Sequence, residues 1–184
     1  MQKFLKEYIK NPKYIGAIVP SSKFLAKNMI ESIDFNKSKC IVEYGPGTGV
    51  FTKELVSKAS KETLIVLIEH NNDFAQILND KYKSNNNVII INDSAEFIDY
   101  YLNKYNINMV DYIISGLPFA SLPQNVSTCI LDKTKNILSK QGKFITFQYT
   151  LFKKDLFKSR FSIIQHRKVF KNIPPAYVIE CSND

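Results

Sequence analysis

Residues 40–49, Cys-Ile-Val-Glu-Tyr-Gly-Pro-Gly-Thr-Gly, restrict the fold of this chain more than any other stretch. Cys40–Tyr44 reads as a buried strand that ends in a glycine-rich turn and passes directly into a helix over Phe51–Ala59. Glycines at alternate positions let the backbone approach a ligand closely and take φ values that other residues resist. In open α/β sheets such a turn lies beyond the carboxyl end of a strand, where nucleotide-like ligands are held. The spacing narrows the class of ligand. A dinucleotide fingerprint needs a third glycine at position 50, which is Val50, and a phosphate-binding P-loop needs Gly-Lys-Ser/Thr, whereas Thr48-Gly49-Val50 contains no lysine.

The rest of the chain supports a sheet of this kind. Short β-branched runs recur at Leu64–Glu69, Val88–Asn92, Val110–Ser115 and Lys143–Tyr149, each of the type buried within a parallel sheet. Helical patterns lie between them over Asn72–Tyr82, Ala95–Tyr105 and Asn125–Ser139, with Asn71 or Asp73 and then Ser94 as N-caps, and Gln141-Gly142 closing the last. Repeated βα units predict a doubly wound parallel sheet. Two further strands, Ser162–Phe170 and Tyr177–Cys181, have no helix between them and should pair antiparallel. The expectation is an α/β, Rossmann-like, seven-stranded mixed sheet, five parallel strands plus a C-terminal antiparallel pair, flanked by helices. It occupies residues 39–184, preceded by a helical segment over residues 1–38.

That leading segment is amphipathic. Phe4, Leu5, Tyr8 and Ile9 share one arc of a helix over Gln2–Lys10, with lysines on the remainder, and Asn11-Pro12 stops it. A serine N-cap in Pro20-Ser21-Ser22 then opens a second helix over Lys23–Ile33. Two roles are open to the first helix: lying in a membrane interface, or packing on the catalytic domain.

With 184 residues, 45% of them hydrophobic, the chain can bury a core but has no room for a second large domain. No apolar run approaches the ~20 residues of a membrane span, and no secretory h-region opens it. Cys40, Cys129 and Cys181 are too dispersed for a disulfide framework or a zinc site, and with His70 and His166 leave little for a metal. A reducing cytoplasm is implied. The net charge of +8 is uneven: six lysines against Glu7 in residues 1–30, and Lys153, Lys154, Lys158, Arg160, Arg167, Lys168 and Lys171 near Asp155 alone. Such asymmetry suits a polyanionic partner, an anionic membrane surface or nucleic acid, or else a plain lysine-rich surface.

The remaining pattern, E-x-G-x-G-x-G, is similar to the turn that binds S-adenosylmethionine (SAM) in class I methyltransferases, whose seven-strand plan matches the one above. The cofactor set is then Glu43 near the methionine amino group and Gly45, Gly47 and Gly49 along the backbone turn. Glu69, twenty residues after Gly49, is placed for the ribose hydroxyls. Asp93 is placed for the adenine amine, or alternatively as a helix cap, with Ser94 beside it. Ser115 ends strand four, and Gly116-Leu117-Pro118-Phe119 follows where methyl and acceptor meet. Adenine-N6 methyltransferases carry Asn/Asp-x-Pro-Tyr/Phe in that frame, the polar residue gripping the amine of a base taken out of its stack. Gly116 has no such side chain.

Gly16-Ala17-Ile18-Val19-Pro20-Ser21-Ser22, Glu43–Gly49, Ser115–Phe119 and Asn172-Ile173-Pro174-Pro175-Ala176 together resemble the bacterial phospholipid N-methyltransferases, relatives of the ribosomal RNA adenine dimethylases. The resemblance implies a SAM enzyme that methylates the amine of phosphatidylethanolamine at the inner face of the cell membrane, with the N-terminal helix as its contact. Adenine methylation of RNA is the alternative, and a SAM-fold binding module with little catalysis a third. A lipid amine must lose its proton before attack, which burial favours, and ring faces can hold the methylated ammonium. Phe119, Tyr149 and Tyr177 are the candidate rings. His70 is a candidate base, and Lys153, Lys154 and Arg160 are candidate phosphate contacts.

Overall fold

Every apolar run identified above becomes a strand of one seven-stranded sheet in the computed structural model, which describes residues 23–151, 154–172 and 174–183. The helix expected over Gln2–Lys10, the Gly16–Ser22 segment with its serine cap, and Lys153 lie outside the described residues. In chain order the elements are α1 (Lys23–Ile30), β1 (Cys40–Tyr44), α2 (Val50–Lys58), β2 (Leu64–Ile68), α3 (Asn72–Tyr82) and β3 (Val88–Ile91). A 3-10 turn (Ala95–Phe97) leads into α4 (Ile98–Lys104), followed by β4 (Val110–Ser115), α5 (Gln124–Ile137), β5 (Leu138–Gln148), α6 (Lys154–Lys158), β6 (Ile163–Val169) and β7 (Ala176–Ser182).

The strand order is β3-β2-β1-β4-β5-β7-β6, with β7 antiparallel to both its neighbours and β1 to β5 mutually parallel. The order reverses between β1 and β4, which opens a crevice beyond their carboxyl ends. Register puts Tyr44, Ile68, Ile91, Ser115 and Thr146 in one row across five strands. The residues that follow each of these therefore share a single rim.

Alternation along each strand divides the core into two layers. Val42, Tyr44, Val66, Ile113 and Phe144 pack under α4, α5 and α6, while Ile41, Ile65, Leu67, Ile114 and Ile145 pack under α1, α2 and α3. In α1, Leu25, Ala26, Met29 and Ile30 are buried in the second layer, so this helix belongs to the body of the sheet. The helix caps form as expected: Asn71 Oδ1 accepts from the N–H groups of Asp73 and Phe74, and Ser94 accepts from Glu96 N–H.

The end of α5 differs from expectation. The helix stops at Ile137, and Gln141-Gly142 lies inside β5 instead of terminating a helix. Register slips from Val110↔Leu138 to Tyr112↔Lys143, so residues 139–142 are taken up as an irregular bulge. A glycine that reads as a helix stop can also mark a strand irregularity.

Candidate active site

The glycine turn after β1 runs through three positive φ angles, at Gly45 (61°), Gly47 (55°) and Gly49 (81°), which non-glycine residues rarely adopt. Gly45 N–H donates to Ile68 O and Gly49 N–H to Pro46 O, both at 2.9 Å, fixing the turn against β2 and against itself. A Cβ on Gly47 would meet nothing within 4 Å among the described residues, so the turn presents bare backbone to open space there.

Two carboxylates flank the turn. Glu69, at the end of β2, accepts from Gly47 N–H at 2.9 Å through Oε2 and from Asn71 N–H at 2.8 Å through Oε1. Burial raises its pKa and the two backbone bonds oppose the rise. Each oxygen retains further acceptor capacity. Glu43, within β1, is fully buried; its Oε2 accepts from Thr52 Oγ1 at 2.7 Å, while Oε1 is buried without a partner among the described residues. Burial pushes its carboxyl up to about 8, against the Thr52 hydrogen bond, with a further upward push from Glu69. A buried acceptor lacking a donor is costly, and it suits a ligand that brings an ammonium or hydroxyl group. Together with the open backbone at Gly47, this fits the amino-acid and ribose portions of SAM.

Asp93 follows β3 on the same rim. Its Oδ1 accepts from Ser94 N–H at 2.7 Å and its Oδ2 from the Tyr101 hydroxyl at 2.8 Å. That hydrogen bond, with burial second, pushes the Tyr101 phenol up to about 12. Ser94 also donates to Glu96 Oε2 at 3.1 Å. Asp93 and Ser94 thus lie at the rim, engaged with the start of the next helical turn. His70 is exposed beside Glu69.

On the other side of the crevice, Ser115 Oγ accepts from Leu117 N–H at 3.2 Å, and Gly116 N–H donates to Tyr44 O at 2.8 Å. Gly116 is there for space: a Cβ would lie 2.7 Å from Gly45 O. Gln148, at the end of β5, spans the following loop, accepting from Ala120 N–H and donating to Leu117 O, each at 3.2 Å. Neither Gln148 nor the partners Thr52 and Tyr101 were among the expected site residues. The one sequence signal for Gln148 is a single amide in the apolar run Phe144–Tyr149.

The three expected rings are not brought together. Phe119 is fully buried in the core, edge-on to Phe144 and Phe157 at 6.0 and 5.5 Å between centroids, with no ring face left for the crevice. The aromatic partners from β5 and α6 draw it inward. Tyr149 and Tyr177 stand at the carboxyl rim but on opposite faces of the sheet. Tyr149 packs with Phe147 and the α1–α3 layer, its hydroxyl raised by burial and opposed by a hydrogen bond with Asn172. Tyr177 pairs in register with Gln148 and Lys168, with Lys168 Nζ 5.5 Å above its ring. Of the basic candidates, Arg160 is engaged with Asp132 at 2.8 Å and Lys154 lies against His166.

Strand order, the antiparallel seventh strand and the glycine turn after β1 together define a class I methyltransferase fold. Among solved structures the chain is similar to precorrin-6y C5,15-methyltransferase from Geobacter metallireducens, with a TM-score of 0.69, 15% identity, and coverage of 87% of this chain and 88% of that one. It is also similar to TrmN from Thermus thermophilus, with a TM-score of 0.65, 12% identity, and coverage of 97% and 53%. At such identities the likeness concerns the fold.

The family model for ribosomal RNA adenine dimethylase matches residues 2–168, and the chain belongs to that family. It is a SAM-dependent N-methyltransferase. Ornithine lipid N-methyltransferase of Singulisphaera acidiphila is 25% identical over 183 residues, which are 97% of this chain and 93% of that protein. Ribosomal RNA small subunit methyltransferase A of Mycoplasma capricolum is 35% identical over 112 residues, 60% of this chain and 41% of that protein. Against the ribosomal relatives the match therefore spans well under half of their length. No helix among the described residues is long and apolar enough to cross a membrane.

Proposed function

We propose that this enzyme methylates the amine of a membrane-lipid head group, with phosphatidylethanolamine as the simplest acceptor, working peripherally on the cytoplasmic face of an anionic membrane. The observation that carries a lipid acceptor over an RNA base is Gly116. Base methylation calls for a polar side chain on the exocyclic nitrogen. Gly116 offers none, and Gly45 O leaves no room for one without displacing the β1 turn. The alignment with the lipid enzyme, nearly end to end, supports the same choice.

SAM supplies an electrophilic methyl group when bound. Unpartnered Oε1 of Glu43 is suited to the methionine ammonium, and Glu69, already oriented by Gly47 and Asn71, to the two ribose hydroxyls. Asp93 and Ser94 stand at the adenine end of the rim, and Ser115 holds the start of the acceptor loop. On the acceptor side, Leu117 and Tyr149 supply apolar surface, which favours the neutral amine that can attack. The ring of Tyr177 already carries a lysine ammonium over its face, a geometry that also suits a methylated ammonium. Phe119 contributes from within the core by supporting the loop that Gln148 clamps.

Methylation of RNA adenine is the second reading, favoured by the family model and by retention of Pro118 and Phe119. The deciding experiment incubates the protein with methyl-labelled SAM and, in one reaction, phosphatidylethanolamine vesicles and ribosomal RNA, followed by mass spectrometry of lipids and of digested nucleosides. Methylated lipid is expected. Dimethyladenosine with unmodified lipid would establish the RNA reading instead.

A further inference from the structure

At the far end of the same carboxyl rim, the turn joining β6 to β7 and the first residues of α1 form a patch unlike the rest of the surface. Phe170 is 72% exposed and Phe24 51% exposed. Lys168 Nζ lies 5.0 Å above the Phe170 ring and Lys171 Nζ 5.0 Å above the Phe24 ring, so the two segments are interleaved. Pro174 and Pro175 are exposed on the same turn. Lys23 and Lys27 are exposed on α1, and none of these four lysines pairs with a carboxylate among the described residues. The nearby acids Glu31 and Glu180 are taken by Arg167, which ties β6 to α1.

We infer that Phe24 and Phe170, ringed by Lys23, Lys27, Lys168 and Lys171, form a wedge that inserts into an anionic lipid surface and sets the catalytic rim against it, building on the lipid-amine function proposed above. Two exposed phenyl rings at a turn and a helix start would gain by entering the acyl boundary, and the lysines over them can swing back to phosphates along their apolar stems. Complementary charge commits the patch to an anionic bilayer. Phe170, Lys171 and the two prolines lie beyond residue 168, where the match to the RNA dimethylase model ends, whereas the 97% coverage by the lipid enzyme extends across them. The patch also stands on the rim that holds Tyr149 and Tyr177, so docking there would bring head groups to the crevice.

The test is co-sedimentation with vesicles of phosphatidylglycerol and phosphatidylcholine, and with phosphatidylcholine alone, comparing wild type with Phe24→Ala/Phe170→Ala and with Lys171→Glu. Wild type should bind the anionic vesicles selectively, and the double variant should lose roughly tenfold or more in partition. Its thermal midpoint and SAM affinity should stay as in wild type. Unchanged partition in the double variant would overturn the inference. So would a lowered thermal midpoint with weakened SAM binding, which would mean that another part of the chain covers the patch. Reduced binding to ribosomal RNA with vesicle binding intact would reassign the surface to nucleic acid. Should wild type dock through the patch yet methylate no lipid, the wedge stands and the proposed substrate fails. Methylation of lipid by a double variant that still pellets with vesicles gives the converse.

Discussion

The two sides of the carboxyl rim solve opposite problems. On the β1–β3 side, two buried carboxylates crowd a turn of bare backbone, one of them with an oxygen that has no donor among the described residues. On the β4–β5 side the loop is bonded internally: Gly116 to Tyr44, Leu117 to Ser115, Ala120 to Gln148, and Leu122 back to Pro118. The first side is complementary to a polar ligand that arrives with its own donors. The second is preformed and offers mainly shape and apolar surface. A site of that kind can select an acceptor by where its amine is buried, with little polar gripping. Such asymmetry suits a cofactor rich in hydroxyl and ammonium groups meeting an acceptor presented from an interface.

The largest test of this contrast is Glu43→Gln. The folded carboxyl lies at about 8 against an ordinary 4.5, so between those values the folded chain holds a proton that the unfolded chain releases. Its contribution to stability is therefore fully present below about pH 4.5 and is lost as pH rises towards 8. Above that pH an ionised Glu43 lies buried near Glu69 and the Tyr82 hydroxyl. The amide variant should be more stable than wild type at pH 9 by on the order of a few kcal/mol, with little difference near pH 4.5. Urea unfolding of both proteins across that range measures it. A difference independent of pH would mean that burial does not raise the Glu43 carboxyl, which would then face the ammonium as a carboxylate at every pH tested.

Next in size is Gly116→Ala, which tests how closed the acceptor side is. The added methyl must displace Gly45 O from 2.7 Å, and a backbone carbonyl in a hydrogen-bonded turn yields less readily than a side-chain end. A loss of about 1–3 kcal/mol is expected from denaturant unfolding, as for overpacking elsewhere. Wild-type stability would show that the two turns can separate, reopening the place of an amine-gripping residue and with it the RNA reading.

The fold was legible because its information is local. β-Branched runs, periodic helices and Asn71 or Ser94 at helix starts each declare themselves within a few residues. Glu43, Glu69 and Asp93 were findable for a related reason, since parallel register brings the carboxyl ends of β1, β2 and β3 to one rim, and all three residues lie at or within two positions of those ends. What stayed hidden depends on contacts between distant segments. Gln148 reaches residues 28 and 31 positions away, and no spacing rule announces that. Phe119 follows a proline in a frame where an acceptor ring is expected, and only the presence of Phe144 and Phe157 decides that it turns inward. Tyr149 follows the end of β5 and Tyr177 stands at the start of β7, both at the rim. Their opposite faces follow from a register fixed by pairing of β5 with β7, which sequence alone leaves free.

The smallest stability effect, and the sharpest discriminator between the two sides, belongs to Gly47→Ala. Here a Cβ meets no described atom within 4 Å, so the only penalty to the fold is the backbone angle of 55°. That costs an alanine about 1–2 kcal/mol, partly offset by the lower entropy of the unfolded chain. Gly47 N–H can keep its bond to Glu69, because the substitution removes no donor. The methyl group would instead project into the space assigned to SAM, where close approach of the ligand to the backbone is the reason for a glycine. Calorimetric affinity for SAM should therefore fall roughly tenfold or more, a change of at least 1.4 kcal/mol, while the unfolding midpoint moves little. Gly116→Ala should show the reverse balance, a larger loss of stability than of cofactor affinity. Equal SAM affinity for Gly47→Ala and wild type would place the cofactor away from this turn and dissolve the division between a ligand-completed side and a self-completed one.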